Sequence, residues 1–264
     1  MPRDLIHSRS NALVRRLRDL KRHGGDDALA LVEGVRLIEE AVAAGLDCEV
    51  VVASPRATHT PRGRELVDKL ERAGTPMRWM QDAIVDSLAS VETSQGLIAL
   101  ARRPAFAVEQ VFAGTPLVVV LDGVQNPGNV GAVLRSAEAA GATGVLLTTE
   151  CADPLSWKAL RGSMGSAFRL PHVRTARTEI LALLASTSVA VALAAPTTGR
   201  PPDEVDLRGP VALLVGGEGA GVSEELAGAS QLHVSIPLQA PVESLNVAVA
   251  TGILLFEAAR QRRR

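Results

Sequence analysis

Apolar and polar positions along the first hundred residues change repeatedly between helical and strand spacing. Leu13, Leu17 and Leu20 fall on one side of a helix when residues 11–22 are given a 3.6-residue period. The same reading predicts helices at 11–22, 35–44, 62–73 and 81–89, and strands at 28–32, 48–53, 77–80 and 96–101. Glycines follow three of the helices, at Gly24-Gly25, Gly45 and Gly74. Such alternation favours a mostly parallel sheet between helices.

A second alternating series begins with the uninterrupted apolar run LVVVLD at residues 117–122, which is typical of a strand buried on both faces. We predict further strands at 144–148, 166–173, 189–195, 211–215 and 233–236, and helices at 129–140, 155–162, 179–185, 222–226 and 245–260. The pattern loses its regularity between the two series. We therefore predict an N-terminal domain over residues 1–105, a linker over 106–116 and a C-terminal domain over 117–264.

Composition supports a folded protein, since 47% of the 264 residues are hydrophobic and 22% are charged. The N-terminus lacks the apolar core of a secretion signal. The longest weakly charged run, 180–202, is interrupted by Ser186, Thr187 and Ser188, so we expect no membrane span.

Two cysteines, Cys48 and Cys151, lie far apart without the spacing of a metal motif or a disulfide framework. The five histidines are scattered. We expect no metal site, and free thiols favour a reducing cytoplasm.

The net charge of −1 is close to neutral, but the charged residues are unevenly distributed along the chain. Basic residues crowd the first predicted helix, which contains Arg15, Arg16, Arg18, Lys21 and Arg22. Nearly all basic residues of the chain are arginines, whose planar guanidinium suits phosphate. The cluster is either an RNA-binding surface or a solvated helix face.

A second basic candidate lies at WKALRGSMGS, where Lys158 and Arg161 precede a turn of glycine and serine. Basic residues beside small flexible ones suit a phosphate backbone. An ordinary connection between two elements remains the alternative.

Polar residues gather at three turns of the C-terminal half. NPGNVGAVLR from Asn126 places Asn129 where it can cap a helix and Arg135 one turn after Gly131. Arg135 can alternatively pair with Glu138 three residues later.

The second turn, GGEGAG from Gly216, follows a buried strand, and its bare N–H groups can bind polar atoms. It lacks the acidic residue of a dinucleotide site and the GK[ST] of a P-loop, which argues against a nucleotide-dependent oxidoreductase. Glu218 within this turn either takes part in a binding site or is merely solvated.

The third turn, PVESLN, precedes the apolar last helix. Ser244 is the expected N-cap, whereas Asn246 is an amide in an apolar environment that requires partners.

Taken together, these turns resemble the three motifs of the SpoU/TrmH family, S-adenosylmethionine-dependent RNA ribose 2′-O-methyltransferases of the SPOUT class. The matching segments are NPGNVGAVLRSAEAAGA, LLVGGEGAGVSEE and IPLQAPVESLNVAVATGILLFEAAR. LVEGVRLIEEAVAAG and TSQGLIALAR in the N-terminal half resemble, more loosely, the substrate-binding domain that often precedes the catalytic one.

The resemblance implies a trefoil-knotted α/β SPOUT domain behind a smaller α/β/α domain similar to ribosomal proteins, and a homodimer packed partly through the last helix. It implies catalytic residues at Asn129, Arg135, Glu218, Ser244 and Asn246. It implies S-adenosylmethionine contacts at Ala194, Ala195, Gly216, Gly217, Ile236, Leu238 and Leu245.

Ribosomal RNA is the expected substrate, with transfer RNA as an alternative. An RNA-binding assembly factor that keeps the fold without catalysis is a further alternative. Resistance to a ribosome-directed antibiotic is a possible role within the family.

Overall fold

The computed structural model describes residues 5–23, 28–90 and 93–263, which form two compact units. Unit 1 comprises residues 1–104 and 155–168, and unit 2 comprises 105–154 and 169–264. The predicted helix end at Gly24-Gly25 lies outside the described residues.

Unit 1 contains a five-stranded sheet with helices on both faces. Its elements are β1 (Leu5–Ile6), α1 (Ala12–His23), β2 (Leu29–Glu33), α2 (Val35–Ala43), β3 (Cys48–Ala53), a 3₁₀ turn (Pro55–Thr58), α3 (Pro61–Arg72), β4 (Met77–Met80), α4 (Asp82–Leu88), β5 (Leu97–Arg102) and α7 (Trp157–Ser163). The strand order is β1-β4-β3-β5-β2. Strands β1, β4 and β3 are parallel, whereas β5 runs antiparallel to both β3 and β2. The sheet is thus mixed rather than mostly parallel.

Side-chain alternation divides the core of unit 1 between the two faces of the sheet. Val14 and Leu17 of α1 pack with Ile84 of α4 on one face, and Trp157 of α7 joins this cluster. The next residues along β2 and β3, such as Val32 and Val51, point to the other face and are fully buried there.

Unit 2 contains a six-stranded sheet in which every pairing among the described strands is parallel. Its elements are α5 (Val108–Val111), β6 (Leu117–Asp122), α6 (Pro127–Ala140), β7 (Gly144–Thr148), β8 (His172–Thr175), α9 (Arg177–Ser186), β9 (Ala190–Ala194), a 3₁₀ turn (Pro202–Glu204), β10 (Val211–Gly216), α10 (Glu224–Ala227), β11 (Leu232–Val234) and α11 (Val247–Arg262). A short helix, α8 (Ser166–Arg169), spans the boundary between the units.

The strand order β11-β9-β10-β6-β7-β8 contains a switch point. The chain moves outward from β6 through β7 to β8, and then places β9, β10 and β11 on the other side of β6. In such sheets ligands bind at the carboxyl ends of strands near the switch. The predicted α/β class is confirmed, whereas the trefoil knot stays a prediction.

One face of this sheet carries α5, α9 and α10, which bury Val111, Ile180 and Leu226 against the strands. On the other face α6 packs against α11, and β10 also contacts α11. Arg262 ends α11 by donating to four carbonyl oxygens that precede β6 and β10. The basic C-terminal segment is therefore partly structural.

The predicted strand over 166–173 is wrong for residues 166–171. Residues Ser166–Arg169 form the turn of helix α8, and the strand begins at His172. Ser166, Ala167 and Phe168 are all buried although Ser166 is polar, so the sequence carried no alternation that would separate a helix from a strand.

Candidate active site

The carboxyl ends of β9, β10 and β11 open onto a cavity of about 600 Å³ in unit 2. All the residues predicted to contact the cofactor line it, namely Ala194, Ala195, Gly216, Gly217, Ile236, Leu238 and Leu245. Glu218, Glu243 and Ser244 add polar groups to a wall that is otherwise largely apolar. Sites for small organic cofactors have this composition and size.

Residues 216–223, called the glycine loop below, are folded tightly, and all of them except Ala220 and Ser223 line the cavity. Gly221 N donates to the carbonyl oxygen of Gly217 over 3.0 Å. A Cβ at Gly216 would overlap the backbone of Gly221, and one at Gly217 would overlap the carbonyl oxygen of Gly123. Glycine is required here because backbone approaches backbone where a side chain would stand.

Glu218 joins the glycine loop to two other turns through a shared hydrogen-bond network. Its Oε1 accepts from Asn129 Nδ2 over 2.8 Å and from Asn246 Nδ2 over 3.0 Å. Asn246 Nδ2 also donates to Asn129 Oδ1 over 3.1 Å. Three residues from three distant segments are thus brought together, and the alternative of a merely solvated Glu218 is excluded.

The two expected helix caps are wrong, each by a short distance along the chain. Asn126, rather than Asn129, caps α6 by accepting from Gly128 N over 2.8 Å. Asn246, rather than Ser244, caps α11 by accepting from Ala248 N over 3.0 Å. Asn129 then lies inside the first turn of its helix, and this leaves its amide free to reach Glu218.

Asn246 also differs from its expected environment, because its side chain is exposed rather than buried. Its amide is nevertheless fully used. The oxygen caps the helix and the nitrogen serves the network, so each half of one side chain has a separate task.

Arg135 is exposed on α6 and makes no hydrogen bond or ion pair with any residue that the structure describes. Glu138, its alternative partner, instead binds Arg169 over 2.7 Å. The structure therefore does not bring Arg135 into the Glu218 network. Ser244 is exposed at the cavity wall.

A buried carboxylate beside the site was not anticipated from the sequence. Asp122, at the end of β6, is 2% exposed. Its Oδ1 accepts from Arg177 Nε over 2.9 Å and its Oδ2 from Ser223 N over 2.8 Å. Arg177 also binds Glu150 over 2.9 Å. The sequence signal that could have revealed Asp122 is an acidic residue at the end of a fully apolar parallel strand beside the switch point.

The predicted RNA-binding residues all lie in unit 1, but they are not equally available. Arg15 and Arg22 are exposed on α1, and Arg18 is partly buried. Arg16 forms a bidentate pair with Glu49, and Lys21 donates to the carbonyl oxygen of Ala89.

Lys158 and Arg161 are exposed on α7. The ammonium of Lys158 lies 5.4 Å from the centre of the Trp157 ring. Both charges therefore remain accessible to an anionic partner.

Among the described residues, no group of three or more His, Cys, Asp or Glu side chains is arranged to hold a metal ion. Over the same part of the chain, no helix is both long enough and apolar enough to cross a membrane.

Two family profiles match the chain. The SpoU rRNA Methylase family matches residues 116–256, and the family described as RNA 2'-O ribose methyltransferase substrate binding matches residues 31–107.

Similar proteins cover nearly the whole chain. The 23S rRNA (guanosine(2553)-2'-O)-methyltransferase RlmP of Bacillus subtilis is 34% identical, with 86% of each chain covered. The 23S rRNA (adenosine(1067)-2'-O)-methyltransferase of Streptomyces azureus is 31% identical over 96% of this chain and 95% of its own. The crystal structure of an AdoMet-bound rRNA methyltransferase from Sinorhizobium meliloti superposes with a TM-score of 0.86 at 28% identity, over 97% of both chains.

Proposed function

Since this chain belongs to the SpoU rRNA Methylase family, we propose that it transfers a methyl group from S-adenosylmethionine to a ribose 2′-hydroxyl of ribosomal RNA. The observation that carries the proposal is the junction of the Asn129–Glu218–Asn246 network with the cavity lined by the glycine loop.

The residues around the cavity fit S-adenosylmethionine. Apolar side chains such as Leu238 and Leu245 suit its adenine ring, while the bare backbone of Gly216 and Gly217 can bind its polar groups. When bound, the cofactor supplies an activated methyl group and the driving force of the transfer.

Arg135 is the residue we propose to act on the ribose. An arginine side chain is protonated at neutral pH, so it serves better as a donor to the 2′-oxygen than as a base. Its exposed guanidinium can bind a neighbouring phosphate of the RNA and stabilise negative charge that develops on the oxygen. The proton of the 2′-hydroxyl would pass to this phosphate or to water, and the cofactor would leave as the neutral thioether. The family resemblance implies, as an alternative, that Arg135 itself accepts the proton.

Ser244 and Asn246 have a positioning role in this proposal. Asn246 holds Glu218 and Asn129 in one arrangement, and Ser244 presents its hydroxyl at the cavity wall. A fixed arrangement favours reaction because the reacting oxygen must approach in line with the methyl carbon.

Unit 1 is the proposed RNA-binding region, which agrees with the substrate-binding family match to residues 31–107. Arg15 and Arg22 on α1, with Lys158 and Arg161 on α7, supply accessible charges for phosphate. Arg16 and Lys21 contribute less, because each already has a partner within the protein. Ribosomal RNA is favoured over transfer RNA by the named activities of the similar proteins.

A homodimer is proposed through α11, where Val249, Ile253 and Phe256 form an exposed apolar stripe at helical spacing. These side chains are 52%, 41% and 48% exposed. A second copy of the chain would cover them.

The two free, buried thiols suit a cytoplasmic enzyme.

Two measurements test this function. Calorimetric titration of the protein with S-adenosylmethionine should show binding, and mass spectrometry of RNA from a deletion strain should show one 2′-O-methyl nucleotide missing from ribosomal RNA. Complementation with the Arg135→Ala variant should leave that nucleotide unmethylated.

The alternative of a non-catalytic assembly factor predicts a different outcome. Ribosome assembly would then be impaired in the deletion strain with every 2′-O-methyl site retained. A missing methyl group in transfer RNA would instead establish the other substrate.

A further inference from the structure

The glycine loop is flexible by composition, and yet the proposed reaction requires it to be fixed. Gly216, Gly217, Gly219 and Gly221 lie within it, and the last two have φ values of 89° and 68° that other residues rarely adopt. Glu218 stands in the middle of this segment. Something outside the loop must therefore hold it in place.

Asp122 contacts both ends of the loop. Its carbonyl oxygen accepts from Gly217 N over 2.9 Å, and its carboxylate accepts from Ser223 N over 2.8 Å. Glu218 lies between these two anchors. Asp122, at the end of β6, thus fixes both the start and the end of the loop that contains Glu218.

The carboxylate of Asp122 is buried, so its charge requires compensation. Arg177, the first residue of α9, provides it with a 2.9 Å bond to the other oxygen. Because each oxygen has its own donor, the carboxylate cannot turn without losing one of them. Its orientation toward Ser223 N is thereby set.

We propose that Asp122 is a positioning residue for methyl transfer, which holds the glycine loop so that the cofactor meets its backbone and Glu218 meets Asn129 and Asn246. This inference rests on the proposed function. Asp122 acts through the loop and not on the reacting atoms.

The Asp122→Asn variant tests the inference, because it keeps the shape of the side chain. Its new NH₂ group must face either Ser223 N–H or Arg177 Nε–H, both of which are donors, so one bond is lost. We expect the Kd for S-adenosylmethionine to rise at least tenfold. The kcat at saturating cofactor and RNA should fall by a similar factor, because Glu218 is displaced as well.

Ser223 allows the same bond to be removed from the other side. Its φ of −60° is compatible with proline, and Ser223→Pro deletes the N–H while leaving Asp122 and Arg177 unchanged. Ser223→Ala is the matched control, since the Ser223 hydroxyl has no partner among the described residues and the N–H is kept. We expect the proline variant to reproduce the losses of Asp122→Asn and the alanine variant to behave as the wild type.

Glu150→Gln separates a positioning role of Asp122 from a purely structural one, because it weakens the outer contact of Arg177 without touching the loop. We expect this variant to leave both Kd and kcat within twofold of the wild type. All variants are measured below their unfolding temperatures, with the folded fraction checked by circular dichroism.

Wild-type affinity for Asp122→Asn and Ser223→Pro, in a protein that binds cofactor and methylates RNA, would overturn the inference and leave the proposed function intact. Absence of cofactor binding by the wild type would instead overturn the function.

Discussion

Asn246 offers a direct way to separate helix stability from the geometry of the site. Its oxygen caps α11 through Ala248 N and Val249 N, at 3.0 and 3.4 Å, while its nitrogen donates to Glu218 and Asn129 at 3.0 and 3.1 Å. Substitutions that remove one half of the amide and keep the other should therefore have distinct effects on stability and on catalysis.

Replacement by alanine removes both functions. Loss of an N-cap costs about 1 kcal/mol of stability, and two exposed hydrogen bonds add about 0.5 kcal/mol each at the low end of their range. A total of about 2 kcal/mol corresponds to a fall in Tm of roughly 4–8 °C for a protein of this size.

Replacement by serine keeps the cap, since serine is among the preferred capping residues. It removes the amide donors to Glu218. Asn246→Ser should therefore be about 1 kcal/mol more stable than Asn246→Ala, while both variants lose methylation activity by about tenfold, the factor that corresponds to 1.4 kcal/mol.

Replacement by aspartate keeps the cap and places a second carboxylate against that of Glu218. Two such groups raise the pKa of one of them, so protonation relieves the repulsion. Because that pKa is raised in the folded state, the protonated form is stabilised and this contribution is lost as pH rises through the raised value. The Tm of Asn246→Asp should accordingly rise relative to that of the wild type as the pH is lowered from 8 to 5.

Thermal unfolding by circular dichroism and transfer of a labelled methyl group from S-adenosylmethionine to ribosomal RNA provide the two readouts. The reasoning is refuted if Asn246→Ser retains wild-type kcat, or if it is no more stable than Asn246→Ala. A pH dependence of Asn246→Asp identical to that of the wild type would contradict the contact with Glu218.

Four further outcomes are expected. Arg135→Ala should abolish methylation with an unchanged Kd for S-adenosylmethionine by calorimetry, since the side chain has no partner among the described residues; a parallel loss of affinity would contradict its assignment. Arg262→Ala should lower the free energy of unfolding by about 2 kcal/mol in urea titrations, because a charged donor to several carbonyl oxygens is removed. Burial raises the pKa of the Cys48 and Cys151 thiols, so neither should react with Ellman's reagent at pH 8 until the protein is unfolded. Gly217→Ala should weaken cofactor binding about tenfold, the equivalent of 1.4 kcal/mol, because its Cβ would overlap the carbonyl oxygen that follows β6; an unchanged Kd would show that the loop can shift without cost.

The central strands β6, β7 and β10 of unit 2 were predictable from the sequence because they are buried on both faces. The run at Leu117–Asp122 and that at Gly144–Thr148 match their predicted bounds to the residue. Composition defines such strands without reference to partners. The antiparallel direction of β5 was not predictable, since it is set by pairing with β2 and β3 and not by any local pattern.

Short elements were missed where local signals are weak. Strand β1 has two residues and α5 has four, and the latter falls within the segment expected to be a linker. Neither contains enough positions to show a period.

The grouping of Asn129, Glu218 and Asn246 followed from the family resemblance, and the hydrogen bonds between them are visible only in three dimensions. The caps were misplaced because several polar residues at each turn are chemically able to cap. Asp122 was overlooked because its partners, Arg177 and Ser223, are 55 and 101 residues away.

The path of the chain between the two units has a consequence for protein engineering. Residues 155–168 belong to unit 1, although the segments on either side of them belong to unit 2. A chimera that exchanges residues 1–104 with those of a relative would leave Trp157 facing a foreign surface in place of its own cluster. Recombination of substrate specificity between such enzymes should therefore succeed when the two segments are transplanted together, and the second crossover pair would lie at residues 154/155 and 168/169.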